Sequence, residues 1–215
     1  MTTLSSTAVF EVDVEHDPTP FVLSLGHILR IGRNDQLSLS RLRNLGRENV
    51  VAAVTVADTP RKATITFSPG GATVAHGIAD EYTTHLVLAP DDLYRIRLSE
   101  PEGTDVDELV YDLSAILNPP LKEWPECAEE FWDSVSDDAG LPEQLVVVSS
   151  DGQELVLGHG ASTYEIHAHP ADLQRLFAGM DSFFDLLFAG KLRVRGTLPQ
   201  LSAMAGASWK VQYHG

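Results

Sequence analysis

Cysteine is almost missing from this chain: Cys127 is the only one in 215 residues, so no internal disulfide can form. That usage fits a reducing compartment. Basic residues are also scarce, with 15 Lys and Arg against 31 Asp and Glu, and the formal net charge is −16. A polyanion would be repelled, so nucleic acid is not expected as a partner. The same balance argues against docking on anionic lipid head groups, although it does not bear on binding a single lipid molecule. No run reaches the roughly 18 to 20 consecutive apolar residues that a membrane span requires, so stable membrane insertion is not expected. The first twenty residues lack a basic region followed by an apolar run and a small-residue cleavage site. The expected setting is therefore cytoplasmic and soluble. Missing too are a Gly-x-Ser-x-Gly elbow, a phosphate-binding Gly-Lys-Ser/Thr loop and a dinucleotide fingerprint. No catalytic residue, metal ligand or cofactor is assigned.

What is present is an ordinary globular composition, 43% hydrophobic and 21% charged, on a chain long enough to bury a core without staples. A short strand is expected at Val9 to Val14. Pro20 suits the first turn of a helix over Phe21 to Ile31, and Leu39, Leu42 and Leu45 recur at helical spacing ahead of Gly46. The period then changes. Val50 to Ala57, Ala63 to Phe67, Ala72 to Ile78 and Tyr82 to Ala89 are short β-branched runs separated by turn residues, which reads as an antiparallel meander. Asp92 offers an N-cap to a short helix around Leu93 to Leu98. Val106, Leu109, Val110, Leu113, Ile116 and Leu117 form one helical stripe, and Trp124, Cys127, Ala128, Phe131, Trp132 and Val135 form another. Leu145 to Ser149, Glu154 to Gly158 and Ser162 to His169 read as a hairpin plus a strand.

The chain also repeats itself. ATITFSPGG from Ala63 lies 81 positions before QLVVVSSDG, and TTHLVLAPDDLYRI from Thr83 lies 80 positions before TYEIHAHPADLQRL. Ser68/Ser149, Gly71/Gly152, Thr83/Thr163, Pro90/Pro170, Asp92/Asp172, Leu93/Leu173 and Arg95/Arg175 are identical. The expected fold class is therefore α+β in two similar halves, residues 1–100 and 101–215, each a helix pair plus a mainly antiparallel curved sheet.

The most apolar stretch is PADLQRLFAGMDSFFDLLFAGKLRVRG, residues 170–196, two short helical segments divided near Gly179 and closed by a Gly-flanked strand. In order and spacing, Tyr164 to His169, Asp172-Leu173-x-x-Leu176, Gly179, Ser182 to Ala189 and Gly190-Lys191-Leu192-Arg193-Val194-Arg195-Gly196 resemble the sterol carrier protein family of lipid-binding domains. The first half matches only in its meander and in the helix start at Asp92. Thr197 stands where an acidic or amide residue is expected, and one strand is missing at the start of the second copy. The resemblance implies a curved sheet backed by helices, binding of a fatty acyl chain, sterol or other apolar ligand, and no catalytic residues. The expected pocket lining is Leu173, Leu176, Phe177, Met180, Phe183, Phe184, Leu187, Phe188, Leu192 and Val194.

An acyl chain of about 14 methylenes would gain about 11 kcal/mol on burial. Association and ordering cost about 4 to 15 kcal/mol, which places the affinity near micromolar. Two other readings stay open. The apolar faces can be buried against the other half or in a homodimer, giving a structural or dimerisation module with a filled core. Alternatively Glu165, His167 and His169 share one face of a strand, with His159 nearby, and could serve a metal-dependent enzyme. Cys127, on an apolar helical stripe, reads as a buried inert thiol.

Overall fold

A computed structural model describes residues 9–89, 92–96 and 108–214. The chain divides into two compact units, residues 1–120 and 121–215.

The first unit comprises β1 (Glu11–Val14), α1 (Pro20–Gly32), α2 (Gln36–Arg47), β2 (Val51–Val56), β3 (Lys62–Ser68), β4 (Gly71–His76), β5 (Thr84–Ala89), β6 (Asp92–Ile96) and α3 (Glu108–Leu117). Its helices start where capping residues stand. Thr19 Oγ1 accepts from the Val22 N–H with Pro20 in the first turn, and an Asp35 carboxylate oxygen accepts from the Ser38 N–H at 2.8 Å. The sheet order is β1-β4-β3-β2-β5-β6. Only β2, β3 and β4 form the antiparallel meander; β5 skips back and pairs parallel with β2, Ala52 opposite Thr84 and Val56 opposite Leu88. Burial explains the choice. Ala52, Ala53, Val54 and Val56 of β2 are buried on both faces, which suits a central strand and not the edge position a simple meander would assign to it.

The helix expected around Leu93 to Leu98 is instead strand β6 where it is described, paired antiparallel with β5 through an irregular register at Leu88/Ala89. The boundary also differs from residue 100. Helix α3, expected to open the second half, packs on α1 and α2, and Arg41 Nε donates to an Asp112 carboxylate oxygen at 3.1 Å. The division therefore falls after Pro119-Pro120.

The second unit comprises α4 (Trp124–Val135), β7 (Gln144–Ser149), β8 (Glu154–Gly158), β9 (Thr163–Ala168), α5 (Pro170–Phe177), α6 (Phe183–Phe188), β10 (Leu192–Arg195) and α7 (Leu198–His214). Its sheet order is β10-β9-β7-β8. Strand β7 pairs antiparallel with β8 and parallel with β9, as β2 pairs with β3 and β5. Strand β10 pairs antiparallel with β9, as β6 does with β5.

Both units are thus α+β with mixed, mainly antiparallel sheets, and the second segment of the repeat aligns true counterparts, β5 with β9, while its first segment does not. The repeat aligned β3 with β7, whereas the pairing makes β7 the counterpart of β2. In that first segment the identical pairs, Ser68/Ser149 and Gly71/Gly152, bound the hairpin turns, where tight reversals demand the same few residue types in unrelated strands. The second sheet has no strand in the place of β4. In exchange, α5 and α6 lie between β9 and β10, where the first unit passes from β5 to β6 across residues 90 and 91.

Candidate functional site

The second unit buries one face of its sheet. Leu145 and Val147 of β7, Leu157 of β8, Tyr164, Ile166 and Ala168 of β9 and Leu192 of β10 point to the same side and pack with helices α4 to α7. Helix α5 begins where His169 leaves the strand: its Nδ1 accepts from the Ala171 N–H at 3.3 Å, and Pro170 fills the first turn. It ends at Gly179, whose φ of +70° is reached at little cost without a Cβ. The reversal into α6 is held by Arg175, whose Nε and Nη2 donate to the two carboxylate oxygens of Asp181 at 2.7 and 2.8 Å. Ser182 then caps α6.

The ten expected lining residues, on α5, α6, the turn between them and β10, are unevenly buried. Leu173, Leu176, Phe177, Met180, Phe183 and Leu192 are fully buried, with Leu186 added to them, and Leu187 and Val194 are half-buried against the same core. Phe184 and Phe188 do not join them. They are 39% and 82% exposed and stack on each other, ring centroids 5.8 Å apart and planes 14° apart. One α-helical turn separates them, so they share the face opposite Phe183 and Leu186.

The buried interior contains polar atoms among the hydrocarbon. Tyr164 is 0% exposed, and its hydroxyl has no hydrogen-bond partner among the described residues. Burial alone pushes this phenol up to about 12, so it is a neutral donor at any physiological pH. Its ring lies over Gly196, the residue directly after β10, where an added Cβ would collide with the tyrosine ring carbons. Ser208 of α7 is 2% exposed and its Oγ likewise has no partner among the described residues. Helix α7 lies beyond the motifs that carry the resemblance, which end at Gly196. A signal was there: Thr197-x-x-Gln200 is a capping box, with the Thr197 N–H donating to Gln200 Oε1 at 2.8 Å and the Gln200 N–H to Thr197 Oγ1 at 3.4 Å. Thr197, which departs from the family pattern, is thus the start of α7. Gln200 Nε2 also donates to the Thr163 carbonyl, tying α7 to β9.

The opposite face of the sheet carries Glu165 and His167 of β9 beside Arg193 and Arg195 of β10. His167 Nε2 lies 3.4 Å from Glu165 Oε2, and Arg195 Nη1 lies 3.7 Å from Glu165 Oε1. His169 is occupied at the α5 N-terminus, so the three side chains proposed as ligands do not converge. Among the described residues no group of three His, Cys, Asp or Glu is placed to hold a metal ion. Cys127 is buried, donates to the Lys122 carbonyl at 3.3 Å and is pushed up to about 11, chiefly by burial.

No family profile and no curated protein matches the chain. About two fifths of it is similar to solved sterol carrier protein structures. Sterol carrier protein domain 2 of Helicoverpa armigera is 12% identical over 41% of this chain and 85% of its own, with a TM-score of 0.33. Sterol carrier protein 2 like 2 of Aedes aegypti is 13% identical over 38% and 92%, TM-score 0.29. The apo form of sterol carrier protein 2 from Yarrowia lipolytica is 19% identical over 42% and 82%, TM-score 0.28. No described helix is long and apolar enough to cross a membrane.

Proposed function

We propose that the second unit binds a small apolar ligand, such as a fatty acyl chain or a sterol-like lipid, and carries it without catalysis. The observation that supports this reading is the Tyr164 hydroxyl, fully buried and without a partner among the described residues. Polar atoms in protein interiors are nearly always satisfied, and an orphan hydroxyl costs about 1 to 3 kcal/mol. An oxygen of a ligand bound in this interior would remove that cost. The ligand's hydrocarbon would supply the rest of the affinity.

The experiment is native mass spectrometry of the full chain purified gently from its own host, together with titration of a fluorescent acyl probe. Co-purified lipid and saturable probe binding are the expected results. Neither one appearing would refute the proposal. A second reading, a structural module with a filled core, is favoured by the full burial of Leu173, Leu176, Phe177, Met180, Phe183 and Leu192. It predicts that the probe does not bind and that Tyr164→Phe affects stability alone.

A further inference from the structure

Tyr164 of β9 and Ser208 of α7 bury hydroxyls that have no partner among the described residues. A hydroxyl both donates and accepts, so each can meet an oxygen or a hydroxyl of a ligand. Neither supplies a charge, since burial keeps the phenol protonated. Cys127, buried in the same core, is a neutral thiol for the same reason. The acids on the packed helices point elsewhere: Glu126, Glu129, Glu130 and Asp133 of α4 and Asp185 of α6 are exposed, and Asp172 of α5 is half-buried.

The cations of the unit are all placed away from these hydroxyls. Residues 121–215 contain six Lys and Arg against fourteen Asp and Glu. Arg193 and Arg195 stand beside His167 and Glu165 on the sheet face turned away from the helices. Arg175 is held by both carboxylate oxygens of Asp181, Lys122 pairs with Glu130 and Lys210 with Asp138. Lys191 is exposed in the turn before β10. His159 is exposed, and His169 is exposed and caps α5. Among the described residues the buried core of this unit therefore holds two unsatisfied neutral hydroxyls and no cation.

We propose that the ligand of the second unit is an uncharged oxygenated lipid, a long-chain alcohol or ester, whose buried oxygen bonds the Tyr164 hydroxyl, and that the site rejects the carboxylate of a free fatty acid. This rests on the reading that the unit binds an apolar ligand and sets the charge of that ligand. A carboxylate taken into this core would lose its hydration and find no countercharge there. A group in that position is driven to its neutral form. A hydroxyl donor can bond a carboxylate oxygen, but a single neutral donor does not replace the water that a full charge gives up. The acidic excess of the unit adds a field of the same unfavourable sign. An alcohol or ester oxygen meets neither penalty and satisfies the orphan hydroxyl.

The test is titration of the delipidated full chain with two fluorescent probes of identical hydrocarbon, one ending in an alcohol and one in a carboxylic acid, each kept below its aggregation concentration. A free aliphatic carboxyl titrates at about 4.3, as a Glu side chain does, so the acid is ionised throughout pH 6 to 8. The acid is expected to bind at least about tenfold more weakly than the alcohol at pH 8. If only its protonated form enters, its apparent affinity falls about tenfold per pH unit, while that of the alcohol stays level and controls for titration of the protein itself. Tyr164→Phe is expected to weaken the alcohol about tenfold and so to narrow the preference. Binding of the acid at pH 8 within tenfold of the alcohol would overturn this inference and leave apolar-ligand binding standing. A preference that Tyr164→Phe does not change would also overturn it. If neither probe binds at any pH, the reading that the unit carries a ligand fails, and this inference with it.

Discussion

Tyr164→Phe removes one oxygen atom and leaves the ring in place over Gly196. In most proteins deleting a buried tyrosine hydroxyl breaks a hydrogen bond worth about 1 kcal/mol. Here the hydroxyl has no partner among the described residues, so the deletion removes a desolvation cost and leaves no orphan behind. The ligand-free protein should gain about 1 to 2 kcal/mol, the lower part of the range for an unsatisfied buried group. For a unit of this size, about 1 kcal/mol raises the unfolding midpoint by about 4 to 8 °C. The assay is convenient because all three tryptophans, Trp124, Trp132 and Trp209, lie in the second unit. Urea unfolding followed by tryptophan fluorescence therefore reports on the unit that carries the substitution. If the hydroxyl meets a ligand oxygen, the acyl probe should bind the variant about tenfold more weakly, since a hydrogen bond of about 1.4 kcal/mol is a factor of ten. The two effects have opposite signs, which separates them. A variant less stable than the wild type by about 1 kcal/mol in the delipidated protein would refute the reasoning, because it would mean that the hydroxyl is satisfied in the absence of ligand.

Two further predictions concern titrating groups of the second unit. Cys127, buried and with its thiol raised to about 11, should be alkylated by iodoacetamide at pH 8 far more slowly than a free thiol, and at the ordinary rate once urea unfolds the unit; rapid labelling of the native protein would contradict the buried placement. Glu143 is held below the usual carboxylate range by the backbone N–H groups of Ser162 and Ala161, which donate to its Oε2 at 3.0 and 2.7 Å. A depressed carboxyl stabilises the fold fully above its unfolded value, near 4.5, and loses that contribution as pH falls through its folded value. Urea midpoints measured from pH 7 down to pH 3 should therefore drop less steeply in Glu143→Gln than in the wild type, and an equal slope would refute the assignment.

The helices and most strands could be read from residue order, since a stripe such as Trp124, Cys127, Phe131, Val135 or an alternating run such as Tyr164 to His169 expresses its period locally. Helix α7 escaped because its buried stripe, Met204, Ser208 and Gln212, places polar side chains where the period calls for apolar ones, and only the Thr197-x-x-Gln200 box announced it. Other features are not local at all. Whether Asp92–Ile96 becomes a strand depends on β5 lying alongside to pair with it, while the matching Pro170-Ala171-Asp172-Leu173 begins a helix. Helix α3 has a clean stripe, but the residues it covers are those of α1 and α2, which fixes it in the first unit. The candidate site divides in the same way. The apolar bulk of residues 170–196 was evident from composition and order, and so was its division at Gly179. Which phenylalanines face inward was decided by packing: once Phe183 and Leu186 anchor α6 on the core, the 100° step of the helix turns Phe184 and Phe188 to the outside. The missing partner of the Tyr164 hydroxyl could be seen only after the sheet and helices had closed around it, because satisfaction of a buried polar atom depends on every element that surrounds it and not on its neighbours in the chain.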